Sequence, residues 1–459
     1  MIRRVLIANR GEIAVRIIRA CRETGVEPVA VYSTADETAM HREFASRAVC
    51  VGAPRAADSY LRMDNIVSAA LATQCDAVHP GFGFLSENSA FARLCADHGL
   101  AFIGPSPEVI DCMGNKALAR SLMQKAGVPV VPGSDGSVDT VEKAQEIAEK
   151  IGYPVLVKAA AGGGGRGMRK VPCKQALAEA FRTARAEAEA CFGDGTMYLE
   201  KLILNPRHIE VQILADAHGN TVHLGERDCS MQRRNQKLLE EAPAIGLSVA
   251  LRDEICSAAV RAAQAAGYQN AGTVEFVLDK MGRYYFIEMN TRIQVEHPVT
   301  ELLTGIDIVR EQLRIASGLP LSFSQKQVHF SGHALECRIN AEDPERDFAP
   351  CPGKIDFLHF PAGPGVRVDS ALYNGCEISP YYDSMVAKII VHGDTRLEAV
   401  RRMRRALEEM VVEGVTTNLS LQHLILFEPQ FLRGEYDTGF LENHLAELMA
   451  AQKSVRGAL

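Results

Sequence analysis

No apolar run in this 459-residue chain approaches the ~20 residues needed to cross a bilayer, so a membrane-spanning helix is not expected. Twelve cysteines lie between Cys21 and Cys376, yet none forms a Cys-x-x-Cys pair. That argues against a zinc ribbon and a disulfide framework, and reduced thiols in a cytoplasm are expected. No long basic block offsets the formal net charge of -7, which disfavours duplex nucleic acid as a partner and leaves local cations to serve small anions. The first turn, Asn9-Arg10-Gly11-Glu12, lacks the Gly-x-Gly-x-x-Gly of a dinucleotide site, although its free N–H groups could hold an anion. The only glycine run lacks a following Gly-Lys-Ser/Thr, so a P-loop is disfavoured. Asn9, Arg10 and Glu12 cut short the initial apolar stretch, which is expected to be a first strand rather than a signal peptide.

What is present is globular: 47% hydrophobic and 23% charged residues. At roughly 100–200 residues per domain the length suggests two to four domains. Short apolar runs at 5–8, 29–32, 77–79 and 102–103, with a helical pattern at 13–23, predict an open, largely parallel sheet. A helix over about 115–126 ends at Gly127, and a turn-rich stretch to Ser134 follows, so a boundary is placed near Gly114. Asp139 and Glu142 read as a capping pair for a helix to Lys150, and 154–158 as a strand. After Gly318-Leu319-Pro320 the pattern restarts with alternating Leu335, Cys337 and Ile339, and a charged helix is expected over about 396–413. The divisions are thus 1–114, 115–320 and 333–446.

Lys158-Ala159-Ala160-Ala161-Gly162-Gly163-Gly164-Gly165-Arg166-Gly167 lies between two expected strands. Four consecutive glycines suit either a backbone lid over phosphate or a hairpin tip, and Lys158, Arg166 and Lys116 favour phosphate. Met197-Tyr198-Leu199-Glu200-Lys201-Leu202-Ile203 is an apolar strand whose Glu200 and Leu202–Ile203 backbone could meet a nucleotide base, or whose charges could form a surface pair.

Residues 273–278 and 283–290 alternate with period two around Asp279-Lys280-Met281-Gly282, the pattern of a hairpin. If Leu278 pairs with Arg283, Glu275 faces Phe286 and Glu288 lies diagonally on the same face, roughly 7–8 Å away along the backbone. Asn290 shares that face. Two carboxylates and an amide are hard oxygen ligands suited to Mg²⁺ or Mn²⁺ bridging ATP phosphates. Arg292 can then bind an anionic substrate and Glu296 can remove its proton. His208, Glu210 and Gln212 alternate with apolar residues and share one strand face that could meet phosphate, although a lone histidine is usually structural. The stretch 226–237 crowds cations among acids and amides, and composition alone favours a solvated loop.

Several ordered motifs together resemble the biotin carboxylase family of the ATP-grasp superfamily. They are His79-Pro80-Gly81-Phe82-Gly83-Phe84-Leu85-Ser86-Glu87-Asn88, the glycine run, the 226–237 stretch, the 286–298 stretch, Glu336-Cys337-Arg338-Ile339-Asn340-Ala341-Glu342-Asp343-Pro344, and Pro380-Tyr381-Tyr382-Asp383-Ser384-Met385. The resemblance spans nearly the whole chain. It implies an α/β and α+β multi-domain fold: an N-terminal doubly wound parallel sheet, a central ATP-grasp domain with a glycine-rich lid over about 131–203, and a C-terminal mixed α+β domain. It implies that Lys116, Lys158, Gly164, Gly165, Glu200, Lys201, Leu202, Ile203, His208 and Asn235 hold ATP together with Glu275 and Glu288, and that Glu275, Glu288 and Asn290 bind magnesium or manganese. It further implies that Lys237, Arg292, Gln294 and Val295 hold bicarbonate, that Glu296 deprotonates it to give carboxyphosphate, and that Arg338 stabilises the biotin enolate. Ala161 stands where another glycine is common and Asn235 where histidine is common. The chain has no Ala-Met-Lys-Met attachment motif, so biotin is expected on a separate biotin carboxyl carrier protein, with carboxyltransferase subunits as further partners. Arg19 and Glu23, one turn apart, would ordinarily form a weak surface pair; the resemblance places a homodimer surface there. Another ATP-grasp carboxylate–amine ligase would share the hairpin acids without needing Arg338 or the Arg292-to-Glu296 set. A catalytically silent nucleotide sensor would be expected to lack one of them.

Overall fold

Short apolar runs separated by helices pair in parallel, because each strand is covered on both faces. Strands β1 (Arg4–Ile7), β2 (Glu27–Ser33), β3 (Arg47–Gly52), β4 (Ala77–His79) and β5 (Ala101–Phe102) form one parallel sheet in the order β3-β2-β1-β4-β5. The computed structural model describes residues 2–159 and 167–456, so Ala161, Gly164, Gly165 and Arg166 lie outside the described residues. Strand order reverses beside β1, and the crevice at the carboxyl ends of β1 and β4 is where such sheets place ligands. There Asn9 donates its amide to the carbonyls of Pro80 and Phe82, both at 2.7 Å, shaping the loop that carries Glu87. Helix α1 (Gly11–Glu23) packs Ile13 and Ile17 against Ile308 and Leu313, which seats this sheet on the central domain.

A second unit is built from β6 (Val155–Ala159), β7 (Met168–Val171) and β8 (Met197–Lys201), an antiparallel sheet in the order β7-β6-β8 with its own core of Val155, Val157, Leu177, Phe181 and Leu199. The helix Val141–Ile151 that covers it is capped by Thr140, whose hydroxyl accepts the Lys143 N–H, and not by Asp139 as expected. Threonine one residue on has the extended backbone that a cap requires.

The third unit is one antiparallel sheet of eight strands. It runs β13 (Tyr284–Asn290), β12 (Asn270–Leu278), β9 (Arg207–Ala215), β10 (Thr221–Arg233), β11 (Gln236–Ala242), β14 (His333–Asn340), then the strands Met385–Gly393 and Val366–Ser370. Two expectations are corrected here. The 226–237 stretch is not a solvated loop but most of β10 and the start of β11, with Glu226, Arg227, Asp228 and Ser230 buried. Its two-residue turn, Arg234-Asn235, has φ of 48° and 66°, the left-handed geometry of a tight hairpin that asparagine tolerates well. The other correction concerns the charged helix Arg396–Glu409, which stops four residues before the expected end. Val411–Glu413 is a strand paired with Phe357–His359, in keeping with the preference of consecutive valines for extended backbone. Because β14 pairs with β11, the C-terminal strands continue the central sheet and bring Arg338 to the same surface as Lys237. Among the described residues no helix is long and apolar enough to cross a membrane.

Candidate active site

The acidic face of the hairpin depends on a bulge that strict alternation does not reveal. Asp279 Oδ1 accepts the N–H groups of Met281 and Arg283 at 2.8 and 2.9 Å, which tightens the turn so that Leu278 pairs with Tyr284, not Arg283. Phe286 opposes Phe276, and a shift at Ile287 then sets Glu275 directly opposite Glu288 and Thr273 opposite Asn290. The expected pairing of Glu275 with Phe286 is therefore corrected. With the bulge, Phe276 and Tyr284 enter the core, Phe286 packs on that core while also bordering the cleft, and Glu275, Glu288 and Asn290 face the cleft. Directly opposed residues carry Cβ atoms about 4.5–5.5 Å apart, closer than the diagonal arrangement.

The cleft has a volume of about 940 Å³. The site residues implied by the resemblance line it, apart from Gly164 and Gly165, which with Arg166 lie outside the described residues; Glu210 and Gln212, offered with His208 as a face for phosphate, are instead wholly buried. At its inner end Lys237 Nζ meets three carboxylates: Glu210 at 2.6 Å, Glu296 at 2.7 Å and Glu275 at 2.9 Å. Arg338 bridges Glu296 at 2.8 Å and the fully buried Glu240 at 2.6 Å. Burial alone would raise the Glu296 carboxyl, but Lys237, then Arg338 and Arg227, hold it well below the usual carboxylate range. It is therefore an ionised group held between two cations. Gln294 bridges Arg227 and Glu275 at 3.0 and 2.9 Å. Arg292 is held by Glu87 at 3.0 Å and by the Asn290 side-chain oxygen at 3.1 Å.

At the outer end Lys158 pairs with Glu200, and Arg120 stands 3.9 Å from the same carboxylate. Lys201 turns its ammonium away to the carbonyls of Gly152 and Tyr153, at 2.9 and 2.8 Å, and the Leu202 N–H donates to Pro154. A nucleotide would thus meet Lys201 and Leu202 through other atoms. His208 Nε2 lies 3.1 Å from Glu275.

The donor set fits a hard divalent cation at Glu288. Glu288 directly opposes Glu275 on the cleft face, two carboxylates whose mutual repulsion a cation would relieve. Ligand atoms of His208, Glu210 and Glu275 also lie within 4.8 Å of one another, but Lys237 and Arg227 already neutralise Glu210 there.

Several supporting residues were missed by sequence reasoning. Arg227, fully buried, holds Glu210, Gln212, Thr273, Gln294 and Thr300 through its guanidinium. Glu240 behind Arg338 and Glu87 behind Arg292 are two more. Period-two spacing from Lys237 hides Glu240 because the strand bulges before it, whereas Glu210 was signalled by its alternation with His208 and Gln212.

Residues 1–110 match the model described as biotin carboxylase, N-terminal domain, residues 336–443 that of the biotin carboxylase C-terminal domain, and residues 115–324 that of the carbamoyl-phosphate synthase L chain, ATP binding domain. The chain is 56% identical to the biotin carboxylase of Nostoc sp., over 96% of this chain and 98% of that protein. It is 50% identical to a pyruvate carboxylase subunit of Methanothermobacter thermautotrophicus, over 99% and 92%. The crystal structure of the biotin carboxylase domain dimer of Hydrogenobacter thermophilus 2-oxoglutarate carboxylase, in complex with MgADP, ADP and bicarbonate, superposes with a TM-score of 0.92 at 51% identity, covering 97% of this chain and 98% of that one. Fold and site together define an ATP-dependent ligase with an ATP-grasp domain. The chain belongs to the biotin carboxylase family.

Proposed function

We propose that this enzyme uses ATP and bicarbonate to carboxylate biotin carried on a separate biotin carboxyl carrier protein, the first half-reaction of a biotin-dependent carboxylase. The observation that carries the reading is Glu296, ionised and gripped by Lys237 at 2.7 Å and Arg338 at 2.8 Å, in the same cleft as Lys158, Lys116 and Glu288. Lys116, Lys158 and His208 bind the nucleotide phosphates, with the Glu200-to-Ile203 edge on the base. Glu275, Glu288 and Asn290 would hold Mg²⁺, or Mn²⁺, which when bound neutralises phosphate charge. Bicarbonate enters between Lys237, Arg292, Gln294 and Val295 and takes over Lys237, one of the two cations that now quiet Glu296. Glu296 regains basicity and removes the bicarbonate proton. The dianion attacks the γ-phosphorus, releasing ADP and forming carboxyphosphate. Its breakdown gives CO₂ beside biotin and phosphate, which takes the ureido proton. Arg338, fixed by Glu240 and Glu296, stabilises the enolate oxygen as charge develops.

The domain divisions at 114 and 320–333, a homodimer through α1 and a cytoplasmic location belong to the same reading. Acetyl-CoA, through a carboxyltransferase partner serving fatty acid synthesis, is the proposed final acceptor. A pyruvate or propionyl-CoA acceptor is the second reading, which the likeness to a pyruvate carboxylase subunit supports. The test is bicarbonate- and magnesium-dependent ADP release with and without free biotin. Biotin-stimulated turnover that disappears in Glu296→Ala is expected; biotin-independent turnover indifferent to that change would point to another ATP-grasp ligase.

A further inference from the structure

We propose that His297 and Lys388 are positioning residues that set the anion pocket by holding two successive backbone carbonyls. Resting on the bicarbonate reading above, the proposal assigns to them the direction of the Val295 and Glu296 N–H groups.

His297 Nδ1 donates to the carbonyl of Gln294 at 2.7 Å, and Lys388 Nζ donates to the carbonyl of Val295 at 2.8 Å. The peptides 294–295 and 295–296 are trans. A planar trans peptide directs its N–H opposite to its C=O. Fixing the Gln294 carbonyl therefore aims the Val295 N–H away from His297, and fixing the Val295 carbonyl aims the Glu296 N–H away from Lys388. Neither amide donates to a protein acceptor among the described residues. Gln294, Val295 and Glu296 all line the cleft, where two such donors suit an anion flanked by Lys237 and Arg292.

Both holding groups are themselves immobilised. His297 and Lys388 are fully buried. Lys388 lies 3.2 Å from Glu12 of α1 and 4.0 Å from Asp369, so its ammonium joins the N-terminal domain, the anion segment and the C-terminal strands. Burial, then the charges of Lys388, Arg16 and Arg367, keep the His297 imidazole neutral, and Glu301 Oε2 stands 3.9 Å from its other nitrogen. A neutral ring that donates from Nδ1 has one tautomer and one orientation.

A purely structural pair would lower stability without touching bicarbonate affinity. The test measures KM for bicarbonate and for ATP in biotin-dependent ADP release, with a thermal melt of each variant. His297→Leu and Lys388→Met are expected to raise the bicarbonate KM about ten-fold, equivalent to about 1.4 kcal/mol. The KM for ATP should move by less than about two-fold. His297→Asn, whose amide can donate from nearly the Nδ1 position, is expected to restore most of the loss. Glu241→Gln serves as a buried-charge control, because its partners His333 and Arg396 lie outside the anion segment; it should lower the melting point and leave the bicarbonate KM alone. If His297→Leu does not fold, Lys388→Met against Glu241→Gln decides. Folded variants with a wild-type bicarbonate KM, or a control that raises it equally, would overturn the proposal. A wild-type enzyme without bicarbonate-dependent ADP release would instead overturn the functional reading.

Discussion

The two ends of the cleft hold their charges differently. At the inner end Glu210, Glu240 and Glu296 are almost wholly buried, and each contacts a cation at 2.8 Å or less. At the outer end Lys158 and Glu200 keep 21% and 15% of their side chains exposed, on a three-stranded unit with a separate small core. Carboxylates already stripped of water and paired with cations need little reorganisation when the transition state forms. Partly exposed pairs are cheap to exchange, as a site that must admit and release a nucleotide requires. The chemistry is thus expected to depend on the inner end, and nucleotide affinity on the outer.

The largest expected effect is at the inner end. Glu296→Ala should lower biotin-dependent kcat by about 10²–10⁴-fold, the usual contribution of a positioned base, measured by steady-state ADP release. An Arg338→Met variant should lose about 10²-fold or more in biotin-stimulated turnover, while retaining the slow biotin-independent ADP release, because the role proposed for Arg338 is on the enolate and not on bicarbonate. The outer end should respond differently: Lys158→Met is expected to raise the KM for ATP about ten-fold with bicarbonate KM and melting point nearly unchanged. Equal losses in kcat at both ends would break the contrast.

The smallest effect on activity is expected from Glu241, a buried acid with no place in the cleft. Hydrogen bonding from His333, then the charge of Arg396, overcomes burial and lowers its carboxyl from 4.5 to about 2. A depressed carboxyl contributes stability that is present above its unfolded value and lost as pH falls through the folded one. Glu241→Gln should therefore lower the denaturation midpoint at pH 7, and the gap to wild type should shrink between pH 4.5 and 2. A gap that widens on acidification would contradict the assignment.

Much of the site was legible because its chemistry is local in sequence. Glu275, Glu288 and Asn290 share one hairpin, and Arg292 to Glu296 follow within six residues. What was not legible depends on distant partners. Alternation alone put Phe286 on the acidic face, since no sequence signal marks the bulge at Ile287. The 226–237 stretch read as solvated because its composition is polar, yet the partners that let Arg227 be buried are spread from Glu210 to Thr300. A strand is polar on the inside only when other strands answer it, and that pairing is fixed by the sheet order, not by the stretch itself.

The most direct test follows oxygen atoms. With bicarbonate labelled in all its oxygens and unlabelled water, turnover with ATP and biotin should yield phosphate carrying one labelled oxygen, because the bicarbonate dianion attacks the γ-phosphorus and the bond to carbon breaks afterwards. Phosphate carrying no bicarbonate oxygen would contradict the account.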